Sequence, residues 1–194
     1  MSLLRYFDDW LFELINSLAG RWPWLDRLAQ LLLNDYFVPT VLALSLLALW
    51  FEPSHPPRQN QRAVLTASLS AALANLLLKL INLLYFRPRP FANQSVQLLF
   101  YQPSDSSCPS NAAALGFAIA AGVWFYQRRW GWNLLGLAGL FGLSRIFGGV
   151  HYPFDVLAGA LLGWGSAWLI HQQPNWVDNL LELIVSLAGR WGLT

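Results

Sequence analysis

Residues 62–86 read RAVLTASLSAALANLLLKLINLLYF, an apolar run broken by a few polar side chains and long enough to cross a bilayer as one helix. A helix spans the ~30 Å hydrocarbon layer with about 20 mainly apolar residues, and somewhat shorter runs manage with interfacial Trp and Tyr anchors. The run is not isolated. The 194-residue chain is 56% hydrophobic and only 11% charged, with 11 Trp, a composition outside the range of soluble domains. Segments at 35–51, 111–127, 131–149 and 154–171 also qualify, so five spans are expected, separated by Pro, Gly or charged residues. The expected fold is all-α: a polytopic membrane helical bundle of five to six transmembrane helices forming one domain over 1–194. The sixth would be the N-terminal segment 1–34, as a tilted span or else an amphipathic helix.

The connections set the orientation. Arg58 precedes the 62–86 run and Arg62 opens it, and Arg128 and Arg129 lie between the third and fourth segments. Short cytoplasmic loops carry an excess of Lys and Arg, so both connections are expected to be cytoplasmic. The polar loop 86–110 and the Gly148–Pro153 turn then share the outer face. Loops this long tend to be functional or disordered, and the residues at its ends favour function. Arg87, Arg89 and Arg145 break the charge rule on that face, as cations held for an anionic ligand would; interfacial arginines meeting lipid headgroups are the alternative.

The termini echo each other. Glu13–Trp22 reads ELINSLAGRW, Glu182–Trp191 reads ELIVSLAGRW, and nine of the ten positions agree. Apolar residues recur at helical spacing (Leu11, Leu14, Ile15, Leu18, Trp22; Leu180, Leu183, Ile184, Leu187, Trp191) with acids on the other side. Both stretches end at a glycine suited to a C-cap, Gly20 and Gly189. The pattern predicts amphipathic helices in the interface plane, one on each side of the membrane, the second covering 175–191. Met1–Phe7 runs into Asp8 and Asp9 with no signal-peptide pattern, so the start is expected to be retained. The single cysteine, Cys108, allows neither an internal disulfide nor a Cys-based metal site. A net charge of +2, spread without a stripe, excludes nucleic acid as a partner.

Asn75, Lys79 and Asn82 share one face of the 62–86 helix. An ionisable residue in a span costs at least ~2.5 kcal/mol and is normally paired or functional, so this face is expected to turn into the bundle. The densest chemistry lies at Ser144–Asp155, SRIFGGVHYPFD, where a helix end, a glycine turn and a helix start bring Arg145, His151 and Asp155 to one membrane face. Arginine offers a planar fork to phosphate oxygens. Histidine can attack phosphorus, and aspartate can orient and charge-balance an imidazole.

These residues resemble the Ser-Arg-x5-His-x3-Asp signature of the type 2 phosphatidic acid phosphatase superfamily. The family's first motif, Lys-x6-Arg-Pro, is similar to Phe86–Phe91, FRPRPF. The resemblance places a phosphate-binding arginine at Arg89 with Arg87 as an auxiliary. The lysine position falls on Asn82, and Lys79 sits one turn earlier, so the lysine role stays open. The second motif, Pro-Ser-x-His, corresponds to Pro109–Ser110–Asn111–Ala112. It implies phosphate contacts from Ser110 and neighbouring amides, including Asn111, but alanine stands where a histidine would protonate the leaving group. General acid help is typically worth ~10²–10⁴ in rate, so this chain is expected to be an impaired variant. Two explanations compete: a substitution introduced to stop turnover, or a natural loss. The persistence of the other site groups favours the first.

Within the superfamily the chain resembles undecaprenyl diphosphate phosphatases of the bacitracin-resistance type. The implied activity is metal-independent and cofactor-free hydrolysis of a membrane lipid phosphate or diphosphate, through a phosphohistidine at His151 oriented by Asp155. Bilayer lipids are the expected surroundings, a bacterial inner membrane the location, and the outer face the side of the active site. The oligomeric state is left open. Phosphatidate and phosphatidylglycerophosphate are alternative substrates. A non-catalytic lipid-phosphate binder and a purely structural bundle are the alternatives from other classes.

Overall fold

The structure is a computed structural model and describes residues 3–53 and 57–190. Among the described residues nine helices follow one another: α1 (Leu3–Asn16), α2 (Pro23–Leu33), α3 (Phe37–Trp50), α4 (Pro57–Leu84), α5 (Pro90–Asn93), α6 (Asn111–Trp124), α7 (Arg128–Phe147), α8 (Pro153–His171) and α9 (Pro174–Arg190). No strand occurs among the described residues.

The bundle is organised around α6, whose run of Ala and Gly is buried on almost every side. Helices in lipid gain little from hiding apolar surface, so small residues that let backbones approach closely mark the interfaces. Gly159 and Gly163 of α8 lie against the Ser110 and Ala114 carbonyls, where a Cβ would collide with backbone. On α4 the buried stripe is Ala63, Ala67, Ser70, Ala74 and Leu78.

That stripe overturns one expectation. Asn75 and Lys79 are exposed and Asn82 is half-buried, so their face turns away from the interior. The number of spans is also corrected. Among the described residues two helices, Arg58–Leu84 and Pro153–His171, are long and apolar enough to cross a membrane, or three if α2 and α3, bent by 61°, form one broken span. Helix α6 has 14 residues, about 21 Å at ~1.5 Å per residue. Helix α7 has 20 residues, but its glycines, Asn133 and arginines dilute its hydropathy. The α2–α3 bend has a local cause: the Asn34 side chain accepts the amides of Tyr36 and Phe37 at 2.9 and 3.1 Å, starting a new helix in a new direction.

The terminal helices pack at opposite ends of the bundle. Helix α9 lies against the start of α4 through Arg58–Glu182 and Arg62–Asp178 ion pairs, with Val177 and Leu181 buried. Helix α1 lies against α7 and α8. Its buried residues are Asp8, Phe12 and Asn16, whereas Leu3, Phe7, Trp10 and Leu14 are exposed. The expected sidedness of α1 is therefore reversed at its polar positions, because Asp8 and Asn16 meet backbone groups while Phe12 between them packs on Ile146 and Tyr152. Gly20 has a left-handed φ of +81° in the turn after α1, while α9 continues past Gly189 to Arg190 instead of capping there. Trp191 lies outside the described residues.

Candidate active site

Helix α7 ends at Phe147, and the chain reverses over Gly148–Tyr152 before Pro153 opens α8. Gly149 takes φ +81°, and a Cβ there would press on the Gln97 carbonyl, so the position suits only glycine. The amides of Val150 and His151 both return to the Arg145 carbonyl, at 3.1 and 3.3 Å, which fixes His151 relative to the helix end that carries Arg145. The long loop arrives from the other side. Arg89, with polyproline-like φ −75° and ψ 160°, donates through Nη1 to the Val150 carbonyl at 3.0 Å and through Nε to the Asp105 carbonyl at 3.1 Å. A buried guanidinium thus fastens the loop to the turn.

His151 is 3% exposed. Its Nδ1 lies 2.7 Å from the Ser107 carbonyl, which can only accept, so Nδ1 carries the proton of the neutral ring. Nε2 then holds a lone pair, 3.1 Å from Arg89 Nη1. Burial, followed by the positive charge of Arg89, pushes the imidazole well below the ordinary histidine range. The ring is therefore neutral at physiological pH with its basic nitrogen facing a cation. Cys108 is no rival nucleophile, since burial and then Asp155 push its thiol up to about 11.

Asp155 holds the histidine at one remove. Its Oδ2 is 3.9 Å from His151 Nδ1, beyond a hydrogen bond. It accepts instead from Ser107 Oγ, from the Tyr152 amide at 2.8 Å and from Arg87 Nη1 at 2.6 Å. The link between carboxylate and ring is a relay, because Ser107 binds the carboxylate with its hydroxyl and the ring with its carbonyl.

Arg89, Arg145, His151, Asn111 and Ala112 line one cleft of about 230 Å³. Arg145 is stacked near the Phe141 and Phe100 rings at 4.8 and 5.1 Å, and its Nε is buried without a partner. Ser110 sits behind the wall, fully buried, with its amide bound to the Asp155 carbonyl at 2.9 Å and its Oγ unpaired. The other positions do not reach the cleft. Lys79 is exposed on α4, and the Asn82 amide oxygen is buried without a partner elsewhere. Arg87 is turned to the opposite side, against Asp8 at 2.7 Å and Asp155 at 2.6 Å, with its guanidinium 4.3 Å from the Tyr152 ring centre. Polyproline backbone turns by a third of a revolution per residue, so positions two apart need not share a side.

Sequence reasoning missed Asp8, Asp35, Asp105 and Ser107. Ser107 and Asp105 lie in the polar loop just before the Pro-Ser pair, which is the signal that could have found them. Asp8 and Asp35 carry no spacing that links them to the site. Among the described residues, no group of three or more His, Cys, Asp or Glu side chains is arranged so that it could hold a metal ion.

Comparison with known proteins gives the family. Residues 63–178 match the PAP2 superfamily. The chain is 34% identical to the bacitracin transport permease protein BcrC of Bacillus licheniformis, over 92% of this chain and 88% of that protein. It is 30% identical to the undecaprenyl-diphosphatase BcrC of Bacillus subtilis strain 168, over 91% of this chain and 89% of that one. Among solved structures, that of Aquifex aeolicus LpxE superposes with a TM-score of 0.66 at 28% identity, covering 84% of this chain and 93% of the other.

Proposed function

The chain belongs to the PAP2 superfamily of membrane lipid-phosphate hydrolases, and from that premise we propose that it hydrolyses undecaprenyl diphosphate to undecaprenyl phosphate through a phosphohistidine at His151. The observation that carries the reading is the neutral, buried imidazole whose unprotonated Nε2 accepts from Arg89 Nη1 at 3.1 Å, in the cleft that Arg145 also lines. Two guanidinium groups beside a nucleophile suit a reaction in which charge develops on phosphoryl oxygens. Nε2 attacks phosphorus, the bond to the bridging oxygen breaks, and lipid phosphate leaves. Water then cleaves the phosphorus–nitrogen bond and releases phosphate. The cleft opens at the end of α4 and α8 opposite Arg58 and Arg62, so the charge rule supports an outward-facing site.

Ala112 lines the cleft and has no proton to give. A lipid phosphate is a better leaving group than an alkoxide, so the lost acid slows monoester cleavage more than diphosphate cleavage. A non-catalytic lipid-phosphate binder is the second reading, and Ala112 is what favours it.

The test is phosphate release from undecaprenyl diphosphate, phosphatidate and phosphatidylglycerophosphate by this chain, by Ala112→His and by His151→Ala. Release from the diphosphate is expected, abolished in His151→Ala, with Ala112→His gaining more on the monoesters. An equal gain on all substrates removes the leaving-group argument. Release that survives His151→Ala removes the mechanism, and no release even from Ala112→His favours the binder.

A further inference from the structure

The two guanidinium groups of the cleft are already occupied by acids. Arg89 Nη2 donates to Asp105 Oδ1 at 2.8 Å, and Arg145 Nη2 donates to Asp35 Oδ1 at 3.3 Å. Tyr101 steadies Asp35 by donating its hydroxyl to Oδ2 at 2.9 Å. All five residues line the same cavity. The pairs are lopsided: the arginine side chains are 6% and 7% exposed, whereas Asp105 and Asp35 are 60% and 42% exposed. The acids also come from separate segments, Asp105 from the long loop and Asp35 from the α2–α3 bend.

This asymmetry decides which partner can leave. A carboxylate already half in water loses little by turning fully outward, and an exposed ion pair is weak. A guanidinium sealed in the wall has no such escape, and without an anion its charge would be stranded. Arg145 Nε, buried and unpartnered, shows that the acids satisfy the arginines incompletely. The wall lacks an acceptor with more oxygens than Asp35 brings to it, and a tetrahedral anion supplies them. With two cations, two acids and a neutral histidine on its wall, the cleft has no net charge to attract an anion.

We propose that Asp35 and Asp105 are built-in counter-ions, displaced from Arg145 and Arg89 by an incoming phosphate group, and that they set the affinity of the cleft for phosphate. This rests on the reading of the cleft as the phosphate site. The consequence is selectivity by competition. Free phosphate has only its own charge and hydrogen bonds with which to displace the acids, whereas a lipid phosphate adds the binding of its remaining parts. The same competition helps to expel product phosphate, since the acids return as it leaves. A ligand that must displace a competitor binds weaker by the cost of that displacement.

The experiment is calorimetric titration of the full chain in detergent with inorganic phosphate, for the unsubstituted protein, Asp35→Asn, Asp105→Asn, the double variant, Arg89→Ala and Arg145→Ala. Thermal unfolding of each checks that it is folded. Asparagine keeps the shape and removes the charge. Each single variant is expected to bind phosphate about two- to five-fold tighter, the range of a weak pair whose acid is solvated, and the double variant tighter than either. If the arginine variants lose phosphate while the asparagine variants bind it unchanged or more weakly, the counter-ion role is wrong and the phosphate site stands. If the arginine variants bind phosphate as well as the unsubstituted protein, the cleft is not the phosphate site and both readings fall.

Discussion

Almost the same ten residues begin in α1 and in α9, at opposite ends of the bundle, yet the two helices dock in different ways. The one difference, Asn16 against Val185, falls on the inward side of α1. Asn16 Nδ2 donates to the Phe147 and Gln97 carbonyls at 2.8 and 2.9 Å, and its Oδ1 accepts the Gln97 amide at 2.9 Å. Val185 is 40% exposed. Extending the alignment upstream pairs Phe12 with Leu181 and Asp8 with Val177, and all four are buried. The inward register is thus the same, but α1 shows Asp8 and Asn16 to backbone around the candidate site, on either side of a Phe12 that packs on Ile146 and Tyr152, whereas α9 shows Val and Leu to another helix. Backbone groups in loops need partners, and α1 supplies them. The shared SLAGRW stretch turns after α1, where Gly20 donates its amide to Asp26 at 3.0 Å, and stays helical through Arg190 in α9. Local sequence did not choose between the two; the docking surface did.

The strongest way to break the comparison is to give α1 the inward side chain of α9 at its charged position. Asp8, 1% exposed, pairs with Arg87 and accepts the Phe154 amide at 2.9 Å at the start of α8. Asp8→Val leaves Arg87 with Asp155 alone and the amide unpaired. Breaking a buried pair costs up to ~5 kcal/mol, and the surviving partner reduces this to about 3 kcal/mol. The expected outcome is a large fall in melting temperature together with weaker phosphate binding, because Arg87, Asp155 and Ser107 lead in sequence to the His151 ring. A folded variant with unchanged phosphate affinity would show that the relay does not position the histidine.

Next in size is Asn16→Val, which makes the two decapeptides identical. It removes three hydrogen bonds and strands loop groups on both sides of Gly149, for a loss of about 2 kcal/mol. Hydrogen exchange should rise at the Gln97 and Gly149 amides. The reciprocal Val185→Asn, at a partly exposed site, should change stability by less than about 0.5 kcal/mol.

The same contrast explains what could be read from sequence. Arg145 and His151 were legible because their short spacing around a glycine turn constrains where the chain can put them, and Arg89 through the resemblance of FRPRPF to a family motif. The helical character of the chain was legible from its apolar runs. The inward face of α4 was not, since reasoning that hides polar residues and exposes small ones fails where lipid surrounds the bundle and close backbone packing decides the interface. The count of spans failed similarly: a helix buried within the bundle, such as α6, can be apolar without being long enough to cross. Asp8, Asp35 and Asp105 escaped because an acid at a loop or helix face announces its charge but not its partner. Asp155 was found, yet the Ser107 carbonyl that stands between it and the ring belongs to backbone, which no side-chain motif records.

The smallest effect is expected at the other end of the molecule. Arg58 Nη2 and Glu182 Oε1 are 2.6 Å apart, but the two side chains are 58% and 66% exposed. A short distance between mobile, hydrated charges is weak evidence of stabilisation, because both side chains lose rotamer freedom and salt screens the attraction. Glu182→Gln should therefore lower stability by less than about 0.5 kcal/mol, and added salt should erase the difference. Val177 and Leu181 are buried beneath, and the Arg62–Asp178 pair, less exposed than Arg58–Glu182, remains in place. A loss from Glu182→Gln approaching that of Asp8→Val would mean that α9, like α1, is fixed by charge, and the division between a polar clasp at the cleft and an apolar one at the far end would be wrong.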